Sequence, residues 1–194
     1  MSPWTTWLSQ DPASQFVWAD ESRTGLDRLV VTRNAGRSVA TGHVIGPAAT
    51  PFEVDYRVEF DESWRTRLVH ISDAAGGRIL ELRADGDGTW TDGNDAALPL
   101  LNGAIDVDIS ATPFTNTLPI RRLELAIGGS ADITTAYIAV PDFTVSADPQ
   151  RYTRTAEGTY RFESLDSDFT RDITVDRHGF VLAYPGLFHR RLDG

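Results

Sequence analysis

Apolar and polar residues alternate without a break from Phe52 to Phe60. Phe52, Val54, Tyr56, Val58 and Phe60 fall on one face, and Glu53, Asp55, Arg57 and Glu59 on the other. A period of two over that length predicts a strand with one buried and one wet face, as in antiparallel sheets. Shorter runs of the same kind recur, with Gly, Pro, Asn or Asp between them. They predict strands at Asp27 to Arg33, Ser38 to Val44, Arg67 to Ser72, Arg78 to Arg83 and Ala104 to Ile109. Further strands are predicted at Arg121 to Ala126, Thr134 to Val140, Arg151 to Thr155, Thr159 to Glu163, Arg171 to Val175 and Phe180 to Tyr184.

The breaks carry turn chemistry. Ala75-Gly76-Gly77, Asp85-Gly86-Asp87-Gly88, Ala156-Glu157-Gly158 and His178-Gly179 all supply a residue that tolerates positive φ. Helical periodicity is weak. Ser22 to Leu26 and Pro185 to Arg190 are the two short helices expected. There is no internal repeat and no linker, so residues 1–194 are expected to form one domain, mostly antiparallel β. So many strands must curl or close, because a long flat sheet exposes its edges. A chain of 194 residues buries enough surface to fold without metal or disulfide.

Composition removes several chemistries. The chain has no cysteine, which excludes disulfides, thiolate metal sites and a cysteine nucleophile. It has no lysine either, so Schiff-base catalysis and a phosphate-binding P-loop are excluded. The net charge of -10 opposes nucleic acid and anionic membrane surfaces. His43, His70, His178 and His189 show no metal-ligand spacing. Asp85-x-Asp87 opens like a calcium loop, but Trp90 stands where that loop needs Gly and Ala96 where it needs Glu. No metal or cofactor is implied. Met1 to Gln10 has no basic region and no apolar core, and no apolar run is long enough to span a bilayer. A cytoplasmic location is the expectation.

Two segments carry candidate chemistry. In a strand, Asp106 and Asp108 share one face, opposite Ile105, Val107 and Ile109. Such a pair could serve as general acid and base on a sugar, bind ligand hydroxyls, pair with arginines, or stand in solvent. The segment Thr112 to Leu123 is a rigid loop bracketed by Pro113 and Pro119. Thr112, Thr115, Asn116 and Thr117 can organise it through short side-chain hydrogen bonds. Arg121 then shares a face with Leu123 and Leu125 on a predicted strand. If that face is half-buried, Arg121 needs Asp106 or Asp108 as partner; at a strand end it would lie in solvent.

Trp64-Arg65-Thr66-Arg67, Gly88-Thr89-Trp90, Asp106-Val107-Asp108-Ile109 and the run from Thr112 to Arg121 together resemble a glycolipid-binding family. The family was formerly a bacterial domain of unknown function. Gln150-Arg151-Tyr152, Val175-Asp176 and Tyr184-Pro185-Gly186-Leu187-Phe188 extend the resemblance over nearly the whole chain. It implies a curled antiparallel sheet forming an open or half barrel, similar in shape to periplasmic lipoprotein carriers. Those carriers are exported, and neither an export signal nor a lipidation cysteine is seen here.

The function expected on this basis is non-catalytic binding of a lipid or glycolipid in the concavity of the sheet. Trp64, Trp90, Tyr152 and Tyr184 would line or rim it, and Arg65, Arg67 and Arg121 would meet the head group. Asp106, Asp108, Thr115 and Asn116 complete the expected site. The alternatives are a hydrolase of sugars or esters using Asp106 and Asp108, and a protein-interaction module.

Overall fold

The computed structural model describes residues 13–191 except Ala35 and Gly76. The terminal segment Met1 to Gln10 and the centre of the Ala75-Gly76-Gly77 turn therefore lie outside the described residues. Among the described residues, fourteen strands form a single sheet. In chain order they are β1 (Ala13–Asp20), β2 (Leu26–Asn34), β3 (Arg37–Ile45), β4 (Glu53–Asp61), β5 (Thr66–Asp73), β6 (Ile79–Ala84) and β7 (Trp90–Asp92). There follow β8 (Asp106–Ile109), β9 (Ser130–Ala139), β10 (Thr144–Ala156), β11 (Thr159–Ser164), β12 (Thr170–Val175), β13 (Val181–Tyr184) and β14 (Phe188–Arg190). The strand order is β7-β6-β5-β4-β3-β2-β1-β14-β13-β12-β11-β10-β9-β8. The two halves of the chain are thus antiparallel meanders, joined where β14 returns to pair with β1.

One pair is parallel rather than antiparallel. Asp106 to Ile109 of β8 run alongside Thr135 to Ile138 of β9. A parallel pair needs a long crossover. Here the crossover is a 3-10 turn (Pro113–Asn116) followed by the helix α1 (Thr117–Leu123). This helix replaces the strand expected from Arg121 to Ala126. Pro119 is tolerated because it falls in the first turn, where the N–H has no intrahelical partner. Glu124, in the left-handed conformation at φ 45°, ends the helix. The two helices expected elsewhere are absent: Ser22 to Leu26 is a turn running into β2, and Pro185 to Arg190 is a turn running into β14.

The sheet curls around this crossover without closing into a barrel. Every residue from Ala111 to Arg121 is buried. Phe114 and Leu118 join one core with Phe16, Trp18, Leu29, Val58, Phe60, Val69, Leu82 and Phe180. The inward set of β4 that the alternation marks (Val54, Tyr56, Val58, Phe60) belongs to it. Phe16 stacks on Phe180 with centroids 4.1 Å apart. A second core gathers Ile120, Tyr152, Tyr160, Phe162, Ile173 and Tyr184 under β10 to β13.

Among the described residues no strand ladder joins the two edges, β7 and β8, but the loop between them stitches the rim. Trp90 Nε1 donates to Ala104 O at 2.7 Å, and Gly103 N to Gly88 O at 2.8 Å. Thr66 N donates to Ile105 O at 3.3 Å, and Val107 N to Thr66 Oγ1 at 3.1 Å. Gly88 sits at φ 102°, and a Cβ there would stand 3.0 Å from Gly103 Cα. The two backbones can approach this closely only because that side chain is missing.

Candidate functional site

The concavity of the sheet is filled by the protein's own crossover. One pocket of about 460 Å3 lies beside Ile105, Arg122 and Ile133. Two adjoining pockets of about 410 and 400 Å3 lie past the C-terminal end of β8. They share Ser110, Leu187 and Phe188 as a common wall.

The first pocket is mainly apolar. Leu26, Val44, Ile45, Phe52, Ala111 and Val140 line it. Its one deeply buried polar group is Asp27, which is 2% exposed. Asp27 accepts from Tyr56 Oη at 3.2 Å and from Thr112 Oγ1. Tyr56 reaches it across Gly42, where a Cβ would stand 2.1 Å from Tyr56 Cζ. Thr112 also accepts from Phe114 N and so caps the 3-10 turn. Burial pushes the Asp27 carboxyl up to about 7, against the hydrogen bonds from Thr112 and Tyr56 and the field of His43.

The second pocket is acidic and aromatic. Asp108, Asp148 and Asp166 line it together with Phe162, Phe169 and Tyr184. Asn116, Tyr137, Ser164 and Ser167 add hydrogen-bonding groups. The carboxylates are held from behind. Gln150 is fully buried, and its Nε2 donates to Asp108 Oδ2 at 2.7 Å and to Asp148 Oδ2 at 2.6 Å. Thr115 Oγ1 donates to Asp108 Oδ1 at 3.2 Å. Gln150 Oε1 is buried without a hydrogen-bond partner. Burial raises Asp108 to about 6; Gln150 opposes the shift and the neighbouring Asp148 adds to it. Asp148 is also raised, chiefly by burial.

The structure divides the residues singled out in the sequence. Asp108, Asn116 and Tyr184 line the acidic pocket, and Thr115 supports it. Trp64, Trp90 and Tyr152 are sealed in the cores, with exposures of 6%, 1% and 1%. Tyr152 still bears on the site through its hydroxyl, which accepts from Asn116 Nδ2 at 2.9 Å. Arg65 pairs with Asp87, and Arg67 with Asp61 at 3.6 Å, on the rim near β5, outside both pockets.

Asp106 and Asp108 do share a strand face, but their surroundings separate them. Asp106 is fully buried, and Arg122 grips both its oxygens, with Nη2 at 2.6 Å from Oδ2. The expected partner was Arg121. In a strand, Arg121 and Arg122 would point in opposite directions; on α1 they lie about 100° apart, so both reach inward. Arg121 lies 4.5 Å over the Trp64 ring and donates to His178 O at 2.8 Å. Asp106 is thus sealed behind Arg122, whereas Asp108 lines the acidic pocket.

Sequence reasoning passed over Asp27, Asp148, Asp166, Phe162 and Phe169. The signal for Asp27 is a charged residue in an otherwise apolar register, opposite Val44 and beside the small Gly42 of β3. Asp148 and Asp166 have no such local signal. Among the described residues no group of His, Asp and Glu is arranged to hold a metal ion, and no helix is long and apolar enough to cross a membrane.

Nothing matches the chain among curated proteins. Among solved structures it is similar to a crystal structure of a DUF1089 family protein from Pseudomonas aeruginosa. The two are 38% identical, with a TM-score of 0.76 over 87% of this chain and 92% of that one. A protein family described as "Putative glycolipid-binding" matches residues 15–190, which takes in most of β1, every later strand described and the buried crossover. The half barrel, its plug and the adjoining pockets are thus features of a chain that belongs to this family.

Proposed function

We propose that the protein binds an amphipathic ligand of the glycolipid class without transforming it. The observation that carries this reading is the shared wall of Ser110, Leu187 and Phe188. It sets a chiefly apolar pocket directly against one lined by carboxylates, hydroxyls and aromatic rings. A single molecule with a hydrocarbon part and a hydroxylated part fits such a pair. The acyl part occupies the space between Val44, Phe52 and Val140. The sugar stacks on Phe162, Phe169 or Tyr184 and donates hydroxyls to Asp108 and Asp148. The family description supports the same ligand class.

The test is calorimetric titration with glucosyl diacylglycerols of increasing chain length. Affinity is expected to rise about fourfold per methylene until the apolar pocket is full, from about 0.8 kcal/mol per buried group. The variant Leu187→Asp, at a half-exposed position on the common wall, is expected to abolish binding and leave the fold intact. Absence of binding at every chain length, or full binding by Leu187→Asp, would overturn the proposal.

A further inference from the structure

Both pockets carry acids in their lining. Asp20, Glu21 and Asp27 border the apolar pocket, and Asp108, Asp148 and Asp166 the polar one. No arginine or histidine appears among the described residues that line either. Arg171 stands behind the lining: it lies 4.5 Å over the Phe169 ring, gives its Nε to Pro185 O at 3.2 Å, and its field reaches Tyr184. The arginines that meet acids elsewhere, such as Arg122 with Asp106, are spent on structural pairs.

The hydrogen-bonding character is equally one-sided. Ionised carboxylates only accept. Gln150 turns its donor Nε2 onto Asp108 and Asp148, and its buried Oε1 has no donor. The pocket therefore favours donors, and no cation stands among its lining residues. In a chain of net charge -10 the long-range field acts in the same sense.

From these observations, and resting on the function proposed above, we infer that the protein selects uncharged, hydroxyl-rich head groups and rejects anionic ones: phosphate, sulfate or a uronate carboxylate. The discrimination resides in Asp108, Asp148 and Asp166. It is a form of specificity by repulsion, in which the wrong ligand is excluded by an unpaired like charge.

The closing experiment compares dioctanoylglycerol bearing glucose with the same lipid bearing glucuronic acid. The two differ only in a hydroxymethyl replaced by a carboxylate. Binding is measured by calorimetry at pH 7.5, in low and in high salt. The glucosyl lipid is expected to bind at least about tenfold more tightly at low salt, because two or three like charges at about 6 Å suffice for that factor. The ratio is expected to shrink as salt screens the field. It is expected to fall to within about threefold in Asp148→Asn/Asp166→Asn, which alters half-buried or exposed positions. Equal or tighter binding of the glucuronosyl lipid would overturn the inference while leaving amphiphile binding in place. A ratio insensitive both to salt and to the double variant would overturn it in favour of shape selection. Failure of both lipids to bind would remove the proposed function, and the inference with it.

Discussion

Replacing Asp27 with Asn removes a titration that burial imposes on the folded protein. Asp27 of β2 is buried against Tyr56 and the cap of the crossover, and its side-chain hydrogen bonds come from their two hydroxyls. Its carboxyl moves from the ordinary value of 3.8 to about 7 on folding. Below pH 3.8 both folded and unfolded chains hold the proton, and the site contributes its full stability. Between about 4 and 7 the unfolded chain gives up the proton and the folded chain keeps it, so stability falls as pH rises. Above about 7 the loss is complete. A shift of about three units corresponds to about 4 kcal/mol. Asn resembles the protonated acid in shape and can both donate and accept within the Tyr56–Thr112 pair. The assay is urea unfolding of wild type and Asp27→Asn at pH 4.5, 6, 7 and 8, followed by the fluorescence of buried Trp18, Trp64 and Trp90. The variant is expected to gain on the wild type steadily with pH, by at least about 2 kcal/mol between pH 4.5 and 8. Asp108 and Asp148 titrate alike in both proteins and cancel from the difference. Parallel stability curves would refute the reasoning, because Asp27 would then ionise as easily inside the fold as outside it.

Arg122→Ala leaves Asp106 fully buried without its cation, and thermal unfolding is expected to register a loss of about 3–5 kcal/mol. Adding Asp106→Asn to that variant is expected to restore at least half of the loss. Gly42→Ala drives a methyl into the Tyr56 ring and is expected to cost about 1–3 kcal/mol in urea unfolding. Arg67→Ala breaks an ion pair on the rim that lies outside both pockets. Its effect on stability is expected to stay below about 1 kcal/mol, with unchanged affinity for a glucosyl lipid in the same calorimetric titration.

Much of the sheet was legible along the chain. The alternation from Phe52 to Phe60 marked β4 and its inward residues, since side chains on a strand repeat every two positions whatever the partner strand is. Glycines at the reversals marked most of the turns for an equally local reason. The first half of β10 escaped notice because Pro149 interrupts the run, although it pairs with Thr134 inside the sheet. The short strands β7 and β14 hold three residues each, too few for a period to be read. The crossover was misread at Arg121 because Arg121, Leu123 and Leu125 alternate as a strand would. A helix formed there instead because Thr112, Pro113 and Pro119 favour a helical start, and burial of Phe114, Leu118 and Ile120 rewards it.

By itself the sequence determined the all-β class, the curl that so many strands require, the acidic charge and the absence of cysteine and lysine chemistry. These follow from local periodicity and from composition, which need no knowledge of what touches what. Only the tertiary structure decided that the concavity is plugged by the chain itself, that Arg122 and not Arg121 neutralises Asp106, and that an apolar and an acidic pocket adjoin past the end of β8. Asp27, Asp108, Asp148 and Asp166 come from β2, β8, β10 and the turn after β11, far apart in the chain. Their convergence on two adjoining pockets depends on how the sheet curls and on what fills it, which no short-range pattern records.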